Sequence, residues 1–314
     1  MKKGIFKVVV LCMAGLLLSG LVASCATPAP EEEVQSGITV TDQLGRTVTL
    51  EKAAEKIVSL SPSNTEILFA LGLGDNVVGV TKYCDYPAEA QEKPNVGGFS
   101  TPNLEEIVAL APDIVIASQR HEDEIIPQLE ERGLTVIGLN PKTFDLILDS
   151  ITLVGEVSGK SQEASRLVSD METRIEAITD KVSSLSDTEK PDVFYLTWHD
   201  PLKTSGAKSL HDELIRKAGG KNLFGDVEGT QTVDLETLID RNPQVIIAGI
   251  GMGTGEDKTL QYLLGEERLK DIEAAKNDNI TGIDLDLSGR GGPRIVDGLE
   301  KFARSIHPEL FGQP

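Results

Sequence analysis

Two stretches of the sequence repeat one another and decide the fold. Residues 104 to 117 read LEEIVALAPDIVIA, and residues 235 to 248, which begin 131 positions later, read LETLIDRNPQVIIA. Each stretch combines apolar residues at helical spacing, a proline turn and a short apolar run typical of a buried strand. A repeated helix–turn–strand unit predicts two lobes of related structure. A cleft between paired α/β lobes is a common place for a ligand.

Short apolar runs that alternate with helical patterns continue on both sides of each repeat. They predict strands at residues 57–60, 77–80, 114–117 and 136–139 in the first lobe and at 194–197, 245–248 and 280–283 in the second. A hairpin is expected before them, at residues 38–40 and 47–50. This alternation is typical of βα units around a mostly parallel sheet, so the predicted fold class is α/β.

The region between the two sets of strands is predicted to be helical. From Phe144 to about Leu185, apolar residues recur at helical spacing, and Gly155 or the pair Ser158-Gly159 can divide the region into two helices. A long helix between two lobes makes a semi-rigid connection. We therefore expect an N-terminal lobe at residues 38–143, a helical spine at 144–188 and a C-terminal lobe at 189–314.

The first 24 residues have the pattern of a secretory signal: lysines, an apolar run and small residues that end at Cys25. The apolar run is short for a spanning helix, which needs about 20 residues. The ending Val22-Ala23-Ser24-Cys25 resembles the bacterial lipobox, whose cysteine carries the lipid and becomes the first mature residue. We expect a lipoprotein signal peptide at 1–24, a disordered tether at 25–37 and a membrane-anchored, extracytoplasmic protein. Ordinary signal cleavage near Cys25 is the alternative.

Charge and cysteine usage exclude several classes of function. The 314-residue chain has 50 acidic and 30 basic residues, a formal net charge of −20. Nucleic acids are bound by clustered Lys and Arg, so this balance argues against a nucleic-acid partner. Three cysteines without a CxxC motif argue against a disulfide framework or a zinc ribbon. Because Cys12 would leave with the signal peptide and Cys25 would carry lipid, Cys84 is expected to be a packed, free thiol.

The sequence contains no recognisable catalytic signature. GxSxG, GxxxxGK[ST] and HExxH are absent, and the four histidines are too scattered to predict a metal site. The glycine-rich residues 249–255 follow a predicted strand, so a nucleotide-dependent α/β enzyme is one alternative. We favour a flexible loop at the edge of the cleft, because the spacing is not GxGxxG.

Several motifs occur together in the order typical of one family. They are IVSLSPSNTE at 57–66, GVTKYCDYP at 79–87, NLE at 103–105, WHDPL at 198–202, AGGKN at 218–222 and GGPRI at 291–295. Together they resemble the ABC-transporter substrate-binding proteins for cobalamin, iron-siderophores and haem, and most of all the cobalamin-binding branch. The resemblance covers essentially all of residues 38–308. It implies two Rossmann-like lobes joined by a long α-helix, no enzymatic reaction, and capture of a corrinoid for an ABC importer.

The resemblance also gives a role to one acidic residue in each repeat. In this family such residues dock on arginine pockets of the membrane permease, and Glu105 and Glu236 lie at these positions. One carboxylate on each lobe suits a permease with two copies of the same subunit. Helix capping by Asn103 and Asp234 is the alternative explanation of the two motifs, and both can hold together. The binding protein itself is expected to be a monomer.

For the ligand, the resemblance points to three aromatic residues and two arginines. Tyr83, Phe99 and Trp198 lie where aromatic side chains contact a flat ligand, with ordinary core packing as the alternative. Arg290 and Arg294 flank a Gly-Gly-Pro turn and are expected to hold amide oxygens or carboxylates of the ligand. The alternative for both arginines is a surface ion pair with one of the many acidic residues.

Three further positions limit this interpretation. Glu66 follows Ser63 at capping-box spacing, so we expect it to cap a helix. His199 could ligate cobalt or iron, although a histidine at the edge of the cleft is favoured and no protein-held metal is predicted. Cobalamin binders often carry Trp where this sequence has Thr230, so a related corrinoid, an iron chelate or another metal-oxyanion complex is an alternative ligand. A ferric-siderophore or haem receptor is the second interpretation of the binding class.

Overall fold

An antiparallel hairpin opens the part of the chain that the computed structural model describes, which comprises residues 37–251 and 257–313. Strands β1 (Ile38–Thr41) and β2 (Thr47–Leu50) pair along their whole length. The turn is stabilised by Asp42, whose Oδ1 accepts hydrogen bonds from the N–H groups of Leu44 and Arg46 at 3.0 and 2.9 Å. Gly45 supplies the positive φ of 79° that this turn requires.

The first lobe is built on a four-stranded sheet in which every pair of neighbouring strands is parallel. Its elements are β3 (Ile57–Ser59), α1 (Pro62–Ala70), β4 (Val77–Val80), α2 (Leu104–Ala109), β5 (Ile114–Ser118), α3 (Ile125–Glu130) and β6 (Val136–Leu139). The strand order is β4-β3-β5-β6. The four predicted strands are therefore present. They consist mainly of buried residues, as expected for a parallel sheet covered on both faces.

Two helices connect the lobes, α4 (Phe144–Val157) and α5 (Ser161–Ser183). The break between them falls at residues 158–160, where Gly159 has a φ of 70°. Gly155 lies inside α4 and does not interrupt it. A Cβ at this glycine would approach the Ala164 side chain to 2.5 Å, so the glycine allows α4 and α5 to pack closely.

The second lobe combines parallel and antiparallel strands. Its elements are β7 (Asp192–His199), β8 (Leu202–Ser205), α6 (Leu210–Lys217), β9 (Lys221–Asn222), β10 (Thr230–Thr232), α7 (Leu235–Arg241), β11 (Val245–Ile250), α8 (Lys258–Gly265), α9 (Glu273–Lys276), β12 (Ile280–Asp284), α10 (Leu285–Ser288), α11 (Ile295–Ile306) and α12 (Pro308–Phe311). The order is β10-β8-β7-β11-β12, with β9 also paired to β7. Strands β7, β11 and β12 are parallel, whereas β8 and β10 are antiparallel additions.

The sequence repeat corresponds to the same local structure in both lobes. It forms α2 and β5 in the first lobe and α7 and β11 in the second. Ala111 and Asn242 occupy equivalent positions before the two prolines, and both have left-handed φ values, 45° and 47°. A non-glycine residue seldom adopts this conformation, so its occurrence at both positions supports a duplicated unit.

Equivalent hydrogen bonds also fasten each repeat to the neighbouring strand. The N–H of Asp113 donates to the carbonyl of Lys56 at 2.9 Å, and the N–H of Gln244 donates to that of Asp192 at 3.0 Å. The side chains of the same two residues form hydrogen bonds in the opposite direction. Asp113 Oδ2 accepts from Lys56 N at 2.8 Å, and Gln244 Oε1 accepts from Asp192 N at 3.0 Å. The two lobes thus share a helix–turn–strand unit joined to its sheet in the same way.

Both lobes and the connecting helices belong to one compact unit, Ser36–Pro314. The architecture is the predicted α/β fold of two lobes joined by helices. Within residues 37–251 and 257–313, every helix is too short or too polar to cross a bilayer.

Candidate functional site

A cavity of about 570 Å³ lies at the carboxyl ends of the first lobe's strands. Because neighbouring parallel strands end at the same edge of a sheet, the loops that follow β3, β4, β5 and β6 all reach it. Its lining residues are Ser61, Pro62, Ser63, Asn64, Lys82, Tyr83, Gly98, Phe99, Ser100, Thr101, Ser118, Pro141 and Arg290. Arg290 is the contribution of the second lobe, so the cavity lies where the two lobes face one another.

Two of the predicted aromatic residues line this cavity. Tyr83 follows β4 and is 52% exposed, with the Lys82 ammonium 4.8 Å from its ring centroid. Phe99 is partly buried and lies on a neighbouring loop. An exposed aromatic ring at the wall of a cavity offers a flat apolar surface to a ligand.

His121, which no sequence motif indicated, forms a hydrogen bond and a ring contact with Phe99. Its Nδ1 accepts a hydrogen bond from the N–H of Ser118 at 3.1 Å, so the proton of the neutral ring is on Nε2. Nε2 then donates to the Phe99 carbonyl at 2.6 Å, and the two rings meet edge to face at 5.2 Å. Burial lowers the pKa of His121, although the hydrogen bond to Phe99 opposes that shift.

Arg290 reaches the cavity, but carboxylates already surround its guanidinium group. Nη1 and Nη2 lie 2.6 and 3.2 Å from the two carboxylate oxygens of Asp85. Nη2 is also 2.8 Å from Asp286 Oδ1, and Nη1 is 3.3 Å from Glu66 Oε1. Burial lowers the pKa of Arg290, but hydrogen bonding to Asp85 and the charges of Asp286 and Glu66 outweigh burial and raise it.

Arg294 lies outside the lining of this cavity. Its Nε and Nη2 donate to the two oxygens of Glu66 at 2.9 and 2.5 Å, and its Cζ lies 3.7 Å from the ring centroid of Tyr86. Hydrogen bonding to Glu66 raises the pKa of Arg294. The structure therefore places this arginine between a buried carboxylate and an aromatic ring.

The predicted capping role of Glu66 is wrong. Helix α1 begins at Pro62, and its cap is Ser61, whose Oγ accepts from the N–H of Asn64 at 3.3 Å. Glu66 consequently lies more than one turn inside the helix, where its carboxylate cannot reach the free N–H groups at the helix start. It is 2% exposed and binds the two arginines of the second lobe instead.

Trp198, at the carboxyl end of β7, is also outside the lining of the cavity. It is 43% exposed, and its Nε1 donates to the Asp200 carbonyl at 2.8 Å. The neighbouring His199 ring lies 5.7 Å from that of Tyr262, and its buried Nδ1 has no hydrogen-bond partner within the described part of the chain. Among the described residues, no group of three or more His, Cys, Asp or Glu side chains is placed to hold a metal ion.

Residues 57–287 match the family model described as a periplasmic binding protein. The chain belongs to this family. It is 33% identical over 311 residues to an uncharacterised ABC transporter substrate-binding lipoprotein, YvrC, of Bacillus subtilis, with coverage of 95% of this chain and 97% of YvrC. Such proteins bind substrates for import and are not enzymes, so the chain is an extracytoplasmic substrate-binding protein for ABC import that works with a permease.

Two solved structures illustrate the range of its relatives. The periplasmic vitamin B12-binding protein BtuF of Vibrio cholerae superposes with a TM-score of 0.68 at 28% identity, covering 81% of this chain and 96% of BtuF. The periplasmic haem-binding protein RhuT of Roseiflexus sp. RS-1 gives a TM-score of 0.72 at 26% identity, covering 82% of this chain and 100% of RhuT. The predicted resemblance to the cobalamin, iron-siderophore and haem family is confirmed.

The two acidic residues of the repeat occupy equivalent places in this binding protein. Glu105 and Glu236 are the second residues of α2 and α7, and both are exposed. The predicted caps are present, since Asn103 Oδ1 accepts from Glu105 N at 3.1 Å and Asp234 Oδ1 accepts from Thr237 N at 2.6 Å. Each lobe therefore carries an exposed carboxylate at the positive end of a capped helix.

The remaining predictions of the sequence analysis fall partly outside the described residues. The signal peptide at 1–24, the lipid on Cys25 and the tether at 25–37 lie outside them, except for Gly37. Most of the glycine-rich stretch 249–255 lies outside them as well. Its first residue, Gly249, is part of β11, where a Cβ would approach the Leu285 side chain to 2.7 Å, so close packing accounts for this glycine. Cys84 is a buried free thiol, as predicted.

Proposed function

We propose that this protein captures a corrinoid of the cobalamin type in the cleft between its lobes and delivers it to the permease of an ABC importer. The observation that carries the proposal is the exposed face of Tyr83, which lies with Phe99 at the wall of the 570 Å³ cavity. A flat, partly apolar macrocycle would cover this face and bury it from water. The vitamin B12-binding protein BtuF has the same fold and is 28% identical.

The charges around the cavity give little preference for a ligand with several carboxylates over one with uncharged amides. Among the described lining residues, Lys82 and Arg290 carry charge, and no carboxylate lines the cavity. Because Arg290 already binds three carboxylates, its positive charge is compensated within the protein. Lys82 is left as the positive group available to an anionic ligand, which limits electrostatic selection for haem propionates or acidic siderophores.

Haem is the second candidate, and it is favoured by the similarity to the haem-binding protein RhuT. Thr230 weakens the case for cobalamin itself, since cobalamin binders often have Trp at this position. A ferric siderophore is the third ligand class to include in the same experiment.

Native mass spectrometry of the purified protein against cyanocobalamin, haem and a ferric siderophore tests the proposal. We expect a one-to-one complex with cyanocobalamin, and titration calorimetry should give a dissociation constant of about 1 μM or lower. Tyr83→Ala should weaken binding at least tenfold, whereas Tyr83→Phe, which keeps the aromatic face, should bind as wild type does. Binding of haem or the siderophore without cyanocobalamin would refute the corrinoid assignment.

We further propose that Glu105 and Glu236 dock on the permease, one on each of two subunit copies. Two exposed carboxylates at equivalent positions of duplicated units suit a partner that presents two equivalent basic pockets. Each glutamate sits at a helix start with a side-chain cap, so the local backbone fixes the point from which its side chain projects.

We also propose that the protein is a lipoprotein, with a signal peptide at 1–24, lipid on Cys25, and a tether at 25–37 before the first lobe at 38–143. The spine at 144–188 and the second lobe at 189–314 complete this division. The lipobox-like sequence supports the anchor, and so does the similarity to the lipoprotein YvrC, which extends over 95% of the chain. An anchored carrier stays close to the membrane permease that it supplies.

A further inference from the structure

One loop of the first lobe is held by the second lobe. We call residues 81–87, which follow β4 and include the exposed ring of Tyr83, the Tyr83 loop. Asp85, two residues after Tyr83, receives both Nη groups of Arg290 at 2.6 and 3.2 Å. Tyr86 is covered by the guanidinium group of Arg294 at 3.7 Å. Two arginines of the second lobe thus hold consecutive residues of this loop.

A buried carboxylate of the first lobe joins the two arginines. Glu66 accepts from Nε and Nη2 of Arg294 at 2.9 and 2.5 Å, and Arg290 Nη1 lies 3.3 Å from the same carboxylate. Its side chain is 2% exposed, so water screens these contacts little. Charge-assisted forks of this kind fix both distance and orientation. The contacts therefore join helix α1, the Tyr83 loop and the segment before α11 into one network across the cleft.

The first half of the Tyr83 loop is held by its own lobe. Thr81 and Cys84 are buried, with Oγ1 and Sγ 3.3 Å apart, and the N–H of Lys82 donates to the carbonyl of Gly97 at 2.9 Å. Tyr83 lies within this part, between Lys82 and Cys84, and Cys84 directly precedes the residues that Arg290 and Arg294 hold. A rotation of one lobe against the other would pull on Asp85 and Tyr86 and, through Cys84, on the backbone that carries the Tyr83 ring.

We propose that Arg290 and Arg294 are positioning residues, which act on the ligand through the Tyr83 loop and not through guanidinium groups free to bind it. They hold the loop and the two lobes in the orientation that keeps the Tyr83 ring at the cavity wall. The effect on affinity rests on the function proposed above, because it assumes that Tyr83 contacts the ligand. The restraint on the loop is independent of any ligand.

The test of the restraint is hydrogen exchange of the ligand-free protein. Arg290→Lys and Arg294→Lys keep the positive charges beside Glu66 but lose the planar fork. We expect the amides of residues 81–86 to exchange about tenfold faster in each variant, since their local opening becomes easier. Arg174→Lys is the matched control, because Arg174 also forms a fork, to Glu300 and Asp297, and touches no residue of the loop. Unchanged exchange of the loop in both test variants would overturn the proposal.

Asp85→Asn tests the same restraint with a milder change, in case the arginine variants fail to fold. Its side chain is 40% exposed, and Arg290 keeps Glu66 and Asp286 as partners after the change. The same acceleration, confined to residues 81–86, is expected. Exchange that rises over the whole second lobe instead would indicate a general loss of stability and contradict a restraint on the loop.

The link to the ligand is tested with cyanocobalamin and a double variant. Arg294→Lys should weaken binding about tenfold, but should cause no further loss in a Tyr83→Ala background, because it acts through Tyr83. Additive losses, or a loosened loop with unchanged affinity, would overturn the positioning role. If wild type binds no cyanocobalamin, the proposed function fails while the exchange result still decides the restraint.

Discussion

The His211 ring is stacked on the buried ring of Tyr195, with 4.2 Å between the ring centroids and 22° between the ring planes. His211 Nδ1 lies 3.0 Å from Ser205 Oγ, whereas its buried Nε2 has no hydrogen-bond partner among the described residues. The phenol of Tyr195 lies 2.9 Å from Ser288 Oγ. Burial lowers the pKa of His211 to about 4, so the core of the second lobe holds this histidine in its neutral form.

This arrangement predicts a loss of stability in acid. The pKa of His211 is about 4 in the folded protein, whereas a histidine in the unfolded chain has a pKa of about 6.5. Between these values the unfolded chain binds a proton that the folded chain does not bind, so the free energy of unfolding falls as the pH falls. One such group lowers it by about 2 kcal/mol between pH 7 and pH 5. Urea unfolding at several pH values measures the slope, which should be smaller in His211→Gln. Equal slopes in the two proteins would refute this assignment.

His121 is predicted to contribute to ligand binding although it does not line the cavity. His121→Ala leaves the part-buried N–H of Ser118 and carbonyl of Phe99 without their partner, at the lower end of the cost of about 1–3 kcal/mol for each unsatisfied group. Phe99 also loses the ring that packs edge-on against it. We expect lower stability by urea unfolding and an affinity for cyanocobalamin close to that of Phe99→Ala. An affinity equal to that of wild type would show that Phe99 keeps its place without His121.

Most of the fold could be predicted from local sequence patterns. Buried parallel strands have short, continuous apolar runs, and the repeat at 104–117 and 235–248 gave the number of lobes. Local patterns do not predict the antiparallel strand β10, for a physical reason. Thr230–Thr232 is polar and mostly exposed, so its strand conformation depends on pairing with β8 and not on its own pattern.

The site was harder to predict because its main contacts join distant parts of the chain. Glu66 and Arg294 are 228 positions apart, and no pattern within either segment shows that they pair. The spacing from Ser63 to Glu66 suggested a capping box, but Ser61 and Pro62 start the helix two residues earlier. A Ser-Pro pair before a helical pattern is a start signal that could have corrected this. His121 gave no comparable signal, because its contacts with Phe99 join residues 22 positions apart and no pattern within either segment shows them.

Lipid attachment at Cys25 predicts a clear change in the location of the protein. Wild type should sediment with membranes and enter the detergent phase of a phase-separation assay, whereas Cys25→Ala should remain in the aqueous phase. Because Cys25 precedes all the described residues that line the cavity, the affinity of Cys25→Ala for cyanocobalamin should be unchanged. Cys84→Ala is the matched control and should partition like wild type, since Cys84 is buried in the first lobe. Membrane association of Cys25→Ala at the level of wild type would disprove the anchor.

Docking on the permease is predicted to be stronger at Glu105 than at Glu236. Glu105 has no ion-pair partner within residues 37–251 and 257–313, whereas Glu236 Oε1 lies 3.4 Å from Arg268 Nη1. Arg268 is itself held by Glu266, to which its Nε and Nη2 donate at 2.9 and 3.0 Å. A permease arginine that binds Glu236 therefore has to approach a second positive charge, and this repulsion weakens docking of the second lobe.

Stimulation of the importer's ATPase by the loaded protein provides the measurement. Glu105→Ala should reduce stimulation more than Glu236→Ala, and the double variant should abolish it, while all three keep the affinity of wild type for cyanocobalamin.

Arg268→Ala should increase the apparent affinity for the importer by about twofold to fivefold, the range expected from an exposed ion pair. Its effect should disappear in a Glu236→Ala background, because Arg268 acts on docking through Glu236. Glu106→Ala is the control for general surface charge and should leave stimulation unchanged. Full stimulation by the double variant would refute docking through these residues, and an equal gain from Arg268→Ala with and without Glu236 would refute the role of Arg268.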